Sequence, residues 1–193
     1  AFRAGRIDPV AMPVLTRIKP AIFHSDAKGG IAQLGFDRAF NRFAAAATKH
    51  GLALFTQTNA WTCGALGYHA ERLARQGLVA LAATNASAMI AGGGAIRPIY
   101  GTNPMAFAAP VAGRSPLLVD QSSSATAVVN VRAARERGSA IPDGWAIDRD
   151  GNPTNDPKAA MKGALLAFGG ARGGNLALMV EVFWIVQLGP TNL

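Results

Sequence analysis

The 193-residue sequence has a single cysteine, Cys63, few aromatic residues (7%) and few charged ones (16%). One cysteine cannot close an internal disulfide, so the chain is expected in a reducing compartment and is read as cytoplasmic. No apolar run reaches the roughly 20 residues that a membrane span needs. The best candidate, residues 176–188, is interrupted by Glu181 and Gln187, so no membrane partner is expected. Arg3, Arg6 and Asp8 break up the start and argue against a signal peptide, and residues 189–193 carry no helix-closing signal. His24, His50 and His69 stand apart, and with one cysteine no metal-ligand spacing arises, so no metal is expected. Half of the residues are hydrophobic, which excludes extensive disorder. The 22 glycines and 11 prolines follow no period, which excludes collagen-like and low-complexity classes.

Charge is present but dispersed. Nineteen Lys and Arg against eleven Asp and Glu leave a net charge of +8. Residues 1–50 hold eight basic and three acidic residues, a net +5, spaced singly among apolar positions. That pattern reads first as a solvated basic face, then as a patch for an acidic small molecule or a phosphate-bearing cofactor. Nucleic acid is not expected, because the basic residues do not cluster with aromatic ones.

Periodicity and punctuation give the elements. Gly29, Gly30 and Gly35, following Asp26, predict a loop or hairpin. Phe36, Ala39, Phe40, Phe43, Ala44 and Ala47 then fall at amphipathic-helix spacing, ended by Gly51 as a left-handed cap. Residues 52–58 read as a strand. Residues 64–76 read as a helix with Leu66, Ala70, Leu73 and Ala74 on one face and a Glu71–Arg75 pair at i,i+4. The apolar run 78–83 predicts a strand buried on both faces, completing a strand–helix–strand unit. Residues 85–104 are rich in glycine and proline, and an irregular connection of about 20 residues suggests function. Strands at 105–109 and 117–120, a polar turn at 121–124, and a helix at 127–137 stopped by Gly138 follow. A strand at 145–148, a turn at 148–153, and a helix capped by Asp156 with Pro157 in its first position come next. The glycine cluster 169–174 opens a last helix, running to about Gln187.

The familiar phosphate signatures are missing. Arg97 takes the sixth position after Gly92 and Gly94, Ala171 takes the third position in the later cluster, and there is no G-K-[ST]. An ordinary Rossmann or Walker loop is therefore excluded. The 169–174 cluster still suits an anion: glycines allow close approach, a helix start offers unpaired N–H groups, and Arg172 adds a fixed charge. A tight helix start with a solvated arginine is the plainer alternative. Asp120 with Ser122 and Ser124 at a strand end suits ribose or phosphate hydroxyls, though such residues also serve as caps. Thr102-Asn103-Pro104 reads as a turn motif first and a site second.

Several separated segments together resemble one family. They are Asn59-Ala60-Trp61-Thr62-Cys63-Gly64-Ala65-Leu66-Gly67-Tyr68, Ala83-Thr84-Asn85, Gly101-Thr102-Asn103-Pro104 with Pro110, and Val119-Asp120-Gln121-Ser122-Ser123-Ser124. Ile141-Pro142-Asp143-Gly144-Trp145 with Asp150-Gly151, and Gly169-Gly170-Ala171-Arg172-Gly173, continue the series. In order and spacing, from about Arg3 to about Gly189, the chain resembles the malate/L-lactate dehydrogenase-type NAD(P)-dependent oxidoreductases. Thr62-Cys63-Gly64 is more similar to the branch that reduces Δ1-piperideine-2-carboxylate and Δ1-pyrroline-2-carboxylate.

The resemblance implies a mixed α/β fold of non-Rossmann type, a predominantly antiparallel sheet flanked by helices, in a homodimer. It implies a dimerisation and substrate-side helical segment at 1–50 and a nicotinamide-cofactor domain at 51–193, incomplete relative to the family at both ends. It matches Asn85, Ala86, Asp120, Gln121, Ser122, Ala171 and Arg172 to contacts of NADPH or NADH. Thr102 and Val129 match substrate-side positions. The implied activity is hydride transfer to or from a small 2-oxo, 2-hydroxy or cyclic 2-imino acid. The family's catalytic Ser-His pair would lie before Ala1. Its acidic residue falls on Asn130, which cannot carry charge to tune a histidine. His-Lys becomes Ala171-Arg172, keeping the charge and losing the imidazole. These departures leave a second expectation, a truncated or catalytically degenerate relative that only binds nucleotide or acts as a structural dimer.

Overall fold

The computed structural model describes residues 5–188, with side chains as far as Phe183; Arg3 and residues 189–193 lie outside the described residues. In chain order the elements are β1 (Val14–Lys19), β2 (Ile22–Asp26), α1 (Ala32–His50), β3 (Leu54–Thr58), α2 (Gly67–Ala74), β4 (Ala80–Ala83) and β5 (Ile90–Ala91). Then come β6 (Met105–Ala109), β7 (Leu117–Gln121), α3 (Val128–Arg137), β8 (Ala146–Ile147), β9 (Pro153–Thr154), α4 (Pro157–Ala160), β10 (Ala164–Leu166) and α5 (Ala171–Leu188). The strands form three small sheets, ordered β1-β2-β3, β4-β6-β7 and β5-β10-β8-β9. The fold is mixed α/β, as expected, and the helices flank these sheets.

Two compact units emerge, Ala1–Ala82 with Ala106–Asp120, and Ala83–Met105 with Gln121–Leu193. In the first, β1 pairs antiparallel with β2 and β2 pairs parallel with β3. A parallel pair needs a crossover, and α1 supplies it. Gly35 belongs to this helix rather than to a loop or hairpin, and it serves close packing, since a Cβ there would clash with Ser25 Oγ. The missing side chain lets α1 lie close on the sheet. Phe36, Phe40 and Phe43 point inward as their spacing predicts, and Gly51 closes the helix at φ 79°. Phe36 meets Phe40, Phe43 and Phe55 edge-on or nearly so, at 5.6, 6.5 and 5.7 Å between ring centroids. Arg72, from α2, lies 4.2 Å over the Phe40 ring and bonds Asp37 and Tyr68.

Two expectations for the first unit are corrected. β3 and β4 lie in different sheets, so they do not frame a strand–helix–strand unit; the crossover is β2–α1–β3. Sequential strands pair often, but not always. The 78–83 run is not buried on both faces either: Ala80 is buried, while Val79 and Leu81 are 67% and 66% exposed. A short apolar run cannot by itself reveal which face a neighbour covers. The whole of β7, at an edge of the same sheet, is exposed.

The second unit is built on β10, which pairs parallel with β5 and antiparallel with β8; β8 in turn pairs antiparallel with β9. Its core gathers Ile90, Val131, Ala134, Ile141, Ala146 and Leu165. The 85–104 stretch is therefore not irregular throughout, since it contributes β5 and an antiparallel Ile90–Tyr100 bridge. Asp156 caps α4 by accepting the Lys158 amide, with Pro157 in the first position, as expected. Among the described residues no helix is long and apolar enough to cross a membrane.

Candidate functional site

In the first unit, the 59–68 segment is tied down along its length. Trp61 N–H donates to Gly30 O, Thr62 O accepts the Ala32 amide, and Gln33 Nε2 donates to Cys63 O at 2.7 Å. The segment ends at Gly67, whose amide donates to Asp120 Oδ2 at 2.7 Å. That bond fixes the Asp120 carboxylate at the end of β7, where Oδ1 makes no hydrogen bond among the described residues. Cys63 is half-buried, and its thiol is pushed up in pKa first by burial and further by the Asp120 charge. It is a packed thiol rather than a nucleophile. His24 is satisfied by Thr56 and Thr58 hydroxyls at 3.0 and 3.2 Å.

His69 is 9% exposed, stacks edge-on at 4.8 Å from Phe36, and leaves Nδ1 without a partner. Burial, with the nearby Arg72 charge acting the same way, holds the imidazole below its ordinary 6.5. The folded chain thus keeps His69 neutral where the unfolded chain takes up a proton. Its contribution is complete above about pH 6.5 and is lost as pH falls below that value. Urea denaturation at pH 7 and pH 5 checks this: His69→Phe should flatten the decline that the unsubstituted protein shows.

In the second unit, Asn85 is half-buried and Ala86 exposed, and the Ala86 amide donates to Asn103 Oδ1 at 3.1 Å. Thr102 is half-buried; its carbonyl accepts the Ser123 amide at 2.8 Å, and its hydroxyl makes no hydrogen bond among the described residues. Gln121 is exposed. Ser122 Oγ bonds Ser124 Oγ at 2.7 Å, and buried Ser124 donates to Thr126 O at 2.6 Å. Ser124 therefore serves the turn, leaving Ser122 as the accessible hydroxyl. Val129 is 62% exposed in the first turn of α3, next to Asn130, whose Nδ2 donates to Thr126 Oγ1 at 3.1 Å.

The glycine cluster at α5 differs from expectation in one respect. The amides of Gly170, Arg172, Gly173 and Gly174 donate to the carbonyls of Ala167, Gly169, Phe168 and Gly170. A tight turn consumes these donors, so the helix start does not present a row of free N–H groups. What it does present is the Arg172 guanidinium, exposed and unpaired by any carboxylate among the described residues, beside Gly169 and Gly170. No atom within 4 Å would meet a Cβ on Gly170, and a Cβ on Gly169 would meet Arg172 Cβ alone, at 3.9 Å. Positive charge over open glycine backbone fits an anionic phosphate group. Among the described residues no three His, Cys, Asp or Glu side chains gather to hold a metal.

Fold and sequence together define a mixed α/β protein. The chain belongs to the malate/L-lactate dehydrogenase family, which matches residues 1–189. It is similar to Delta(1)-pyrroline-2-carboxylate reductase 1 of Burkholderia ambifaria, at 38% identity over 94% of this chain and 54% of that protein. It is also similar to (2R)-3-sulfolactate dehydrogenase (NADP(+)) of Chromohalobacter salexigens, at 43% identity over 93% of this chain and 54% of that protein. The crystal structure of delta1-piperideine-2-carboxylate reductase from Pseudomonas syringae superposes with a TM-score of 0.90 at 38% identity, covering 94% of this chain and 55% of that one. The chain spans about half the length of the curated relatives it matches.

The sequence reading places Asn103 only within the Thr102-Asn103-Pro104 turn and the family-resembling segment, with no role of its own, and Glu181 only as a break in the apolar run 176–188. The signal that could have found Asn103 is an asparagine before proline, a position where backbone freedom is restricted and a side chain must compensate.

Proposed function

We propose that this chain is the central, cofactor-binding part of an NAD(P)H-dependent oxidoreductase. It would act on a small 2-oxo or 2-hydroxy acid, or a cyclic 2-imino acid, as a cytoplasmic homodimer. The observation that carries the reading is family membership joined to the unpaired Arg172 beside open glycine backbone. The names of the reductases and the NADP(+)-linked dehydrogenase among its relatives support it.

Bound nicotinamide supplies the hydride. The chain's residues bind and orient. Arg172, next to Ala171, neutralises a phosphate, Ser122 and Asp120 Oδ1 offer hydrogen bonds to sugar hydroxyls, and Asn85, Ala86 and Gln121 complete the contacts. Thr102 presents its hydroxyl on the substrate side, to which Val129 is also assigned. Residues 1–50 are assigned to dimerisation and the substrate side, and 51–193 to the cofactor. No residue of this chain is assigned as the acid/base.

A second reading, a relative that binds nucleotide without turnover, is favoured by one observation. Asn130 is neutral and spends its amide on Thr126. Titration with NADPH and NADH, followed by assay with Δ1-piperideine-2-carboxylate and pyruvate, separates the readings. Binding with oxidation of the nucleotide supports the first, and binding without oxidation supports the second. An absence of binding overturns both.

A further inference from the structure

Asn103 is fully buried, and its backbone sits at φ 34°. A non-glycine residue at positive φ is uncommon, and one preceding a proline is restricted a second time. Something must hold it there, and the side chain shows what. Nδ2 donates one hydrogen to Ala177 O at 2.8 Å and the other to Glu181 Oε2 at 2.7 Å, both on α5. Oδ1 accepts the Ala86 amide at 3.1 Å, and the Asn103 carbonyl accepts from Ser123 Oγ at 3.0 Å. Both amide hydrogens are spent and the oxygen is used, so no other side chain of this length satisfies the same partners. Gly101, two residues earlier, is required by the same arrangement, since a Cβ there would clash with Ala86 O and Asn103 Oδ1.

We propose that Asn103 is a positioning residue for the nucleotide, a buried clamp whose partner is the Glu181 carboxylate. The Asn103 carboxamide fastens the 85–86 loop to the helix that begins at Ala171 and Arg172, and the Asn103 backbone carbonyl holds Ser123 in the turn that carries Ser122. These are three of the stretches to which cofactor contacts are assigned. The clamp rests on that assignment for its role but not for its geometry.

The experiment compares Asn103→Asp, Glu181→Ala, Glu181→Gln and the Asn103→Asp/Glu181→Gln double variant, all in the full chain and each checked for folding by circular dichroism. Asn103→Asp replaces two donated bonds with facing acceptors and should weaken NADPH binding roughly tenfold to a hundredfold. Glu181→Ala removes one bond at a half-buried position and should weaken binding about threefold to tenfold. Glu181→Gln keeps an acceptor and should bind like the parent. The double variant restores the 103–181 bond while the new carboxylate at 103 still faces the Ala177 carbonyl, so it should recover part of the loss, which a merely damaged fold would not. Unchanged binding in both Asn103→Asp and Glu181→Ala, or no recovery in the double variant, overturns the clamp.

Hydrogen exchange of the Ala86 amide in nucleotide-free protein gives an independent answer. It should speed up at least tenfold in Asn103→Ala, which removes the Oδ1 acceptor, and stay slow in Asn103→Asp, whose carboxylate still accepts; no acceleration in Asn103→Ala overturns the clamp. If exchange responds as stated while the parent protein binds no NADPH, the clamp's geometry stands. Its cofactor role then falls together with the cofactor reading.

Discussion

Arg172→Ala weakens NADPH binding by about tenfold to a hundredfold, the loss expected when a charged hydrogen bond worth about 1.5–3 kcal/mol is removed. The guanidinium is exposed, and no described carboxylate competes for it. For the same reason the substitution should change folding stability by less than about 0.5 kcal/mol. Arg172→Lys should fall between the two, because lysine keeps the charge and loses the planar fork that meets two phosphate oxygens. Fluorescence titration at two salt concentrations checks this, and the arginine protein should lose more affinity on adding salt than the alanine variant does. Affinities equal within threefold would remove Arg172 from the site. Because the amides of Gly170, Arg172, Gly173 and Gly174 are already engaged, the side chain supplies the larger part of the attraction at α5.

Asn130→Asp should act twice. The residue lies in the first turn of α3, which has no acidic side chain and no side-chain cap on its amides. A carboxylate there meets the positive end of the helix dipole and should raise stability by about 0.3–1 kcal/mol. The Thr126 hydroxyl, now donating, can keep the existing 3.1 Å contact. In a protein that carries the family's catalytic histidine, the restored charge should also raise kcat at least tenfold, since orienting and charging an acid/base group is worth about that much or more. A stability gain without a rate gain would favour the nucleotide-binding relative over the enzyme. The two readouts, a urea midpoint and a turnover number, are independent.

How far the sequence disclosed this fold depends on element length. Helix α1 announces itself through apolar spacing, and α1 and α3 both end where expected, at Gly51 and Gly138, which adopt the left-handed cap. Strand β6 falls at the expected 105–109. The strands β5 and β10 are two and three residues long, too short for any period to show, yet Ile90 and Leu165 anchor the second core. The β1–β2 pair is hidden differently: Val14 and Ile18 face solvent, so the usual alternation toward a core is absent. At the candidate site, Arg172 and Ser122 are legible because their chemistry is exposed. Asn103 is not, because its importance lies in partners 17, 74 and 78 residues away.

Among the described residues, strand β7 leaves a row of backbone donors and acceptors on one side without a ladder partner, beside Leu117, Leu118 and Val119, which are 53%, 41% and 42% exposed. Such a margin is a template on which another extended chain can condense. Concentrated solutions of the isolated 193-residue polypeptide are therefore prone to stick at this rim, and Asp120, the one charged residue of the strand, is its built-in gatekeeper.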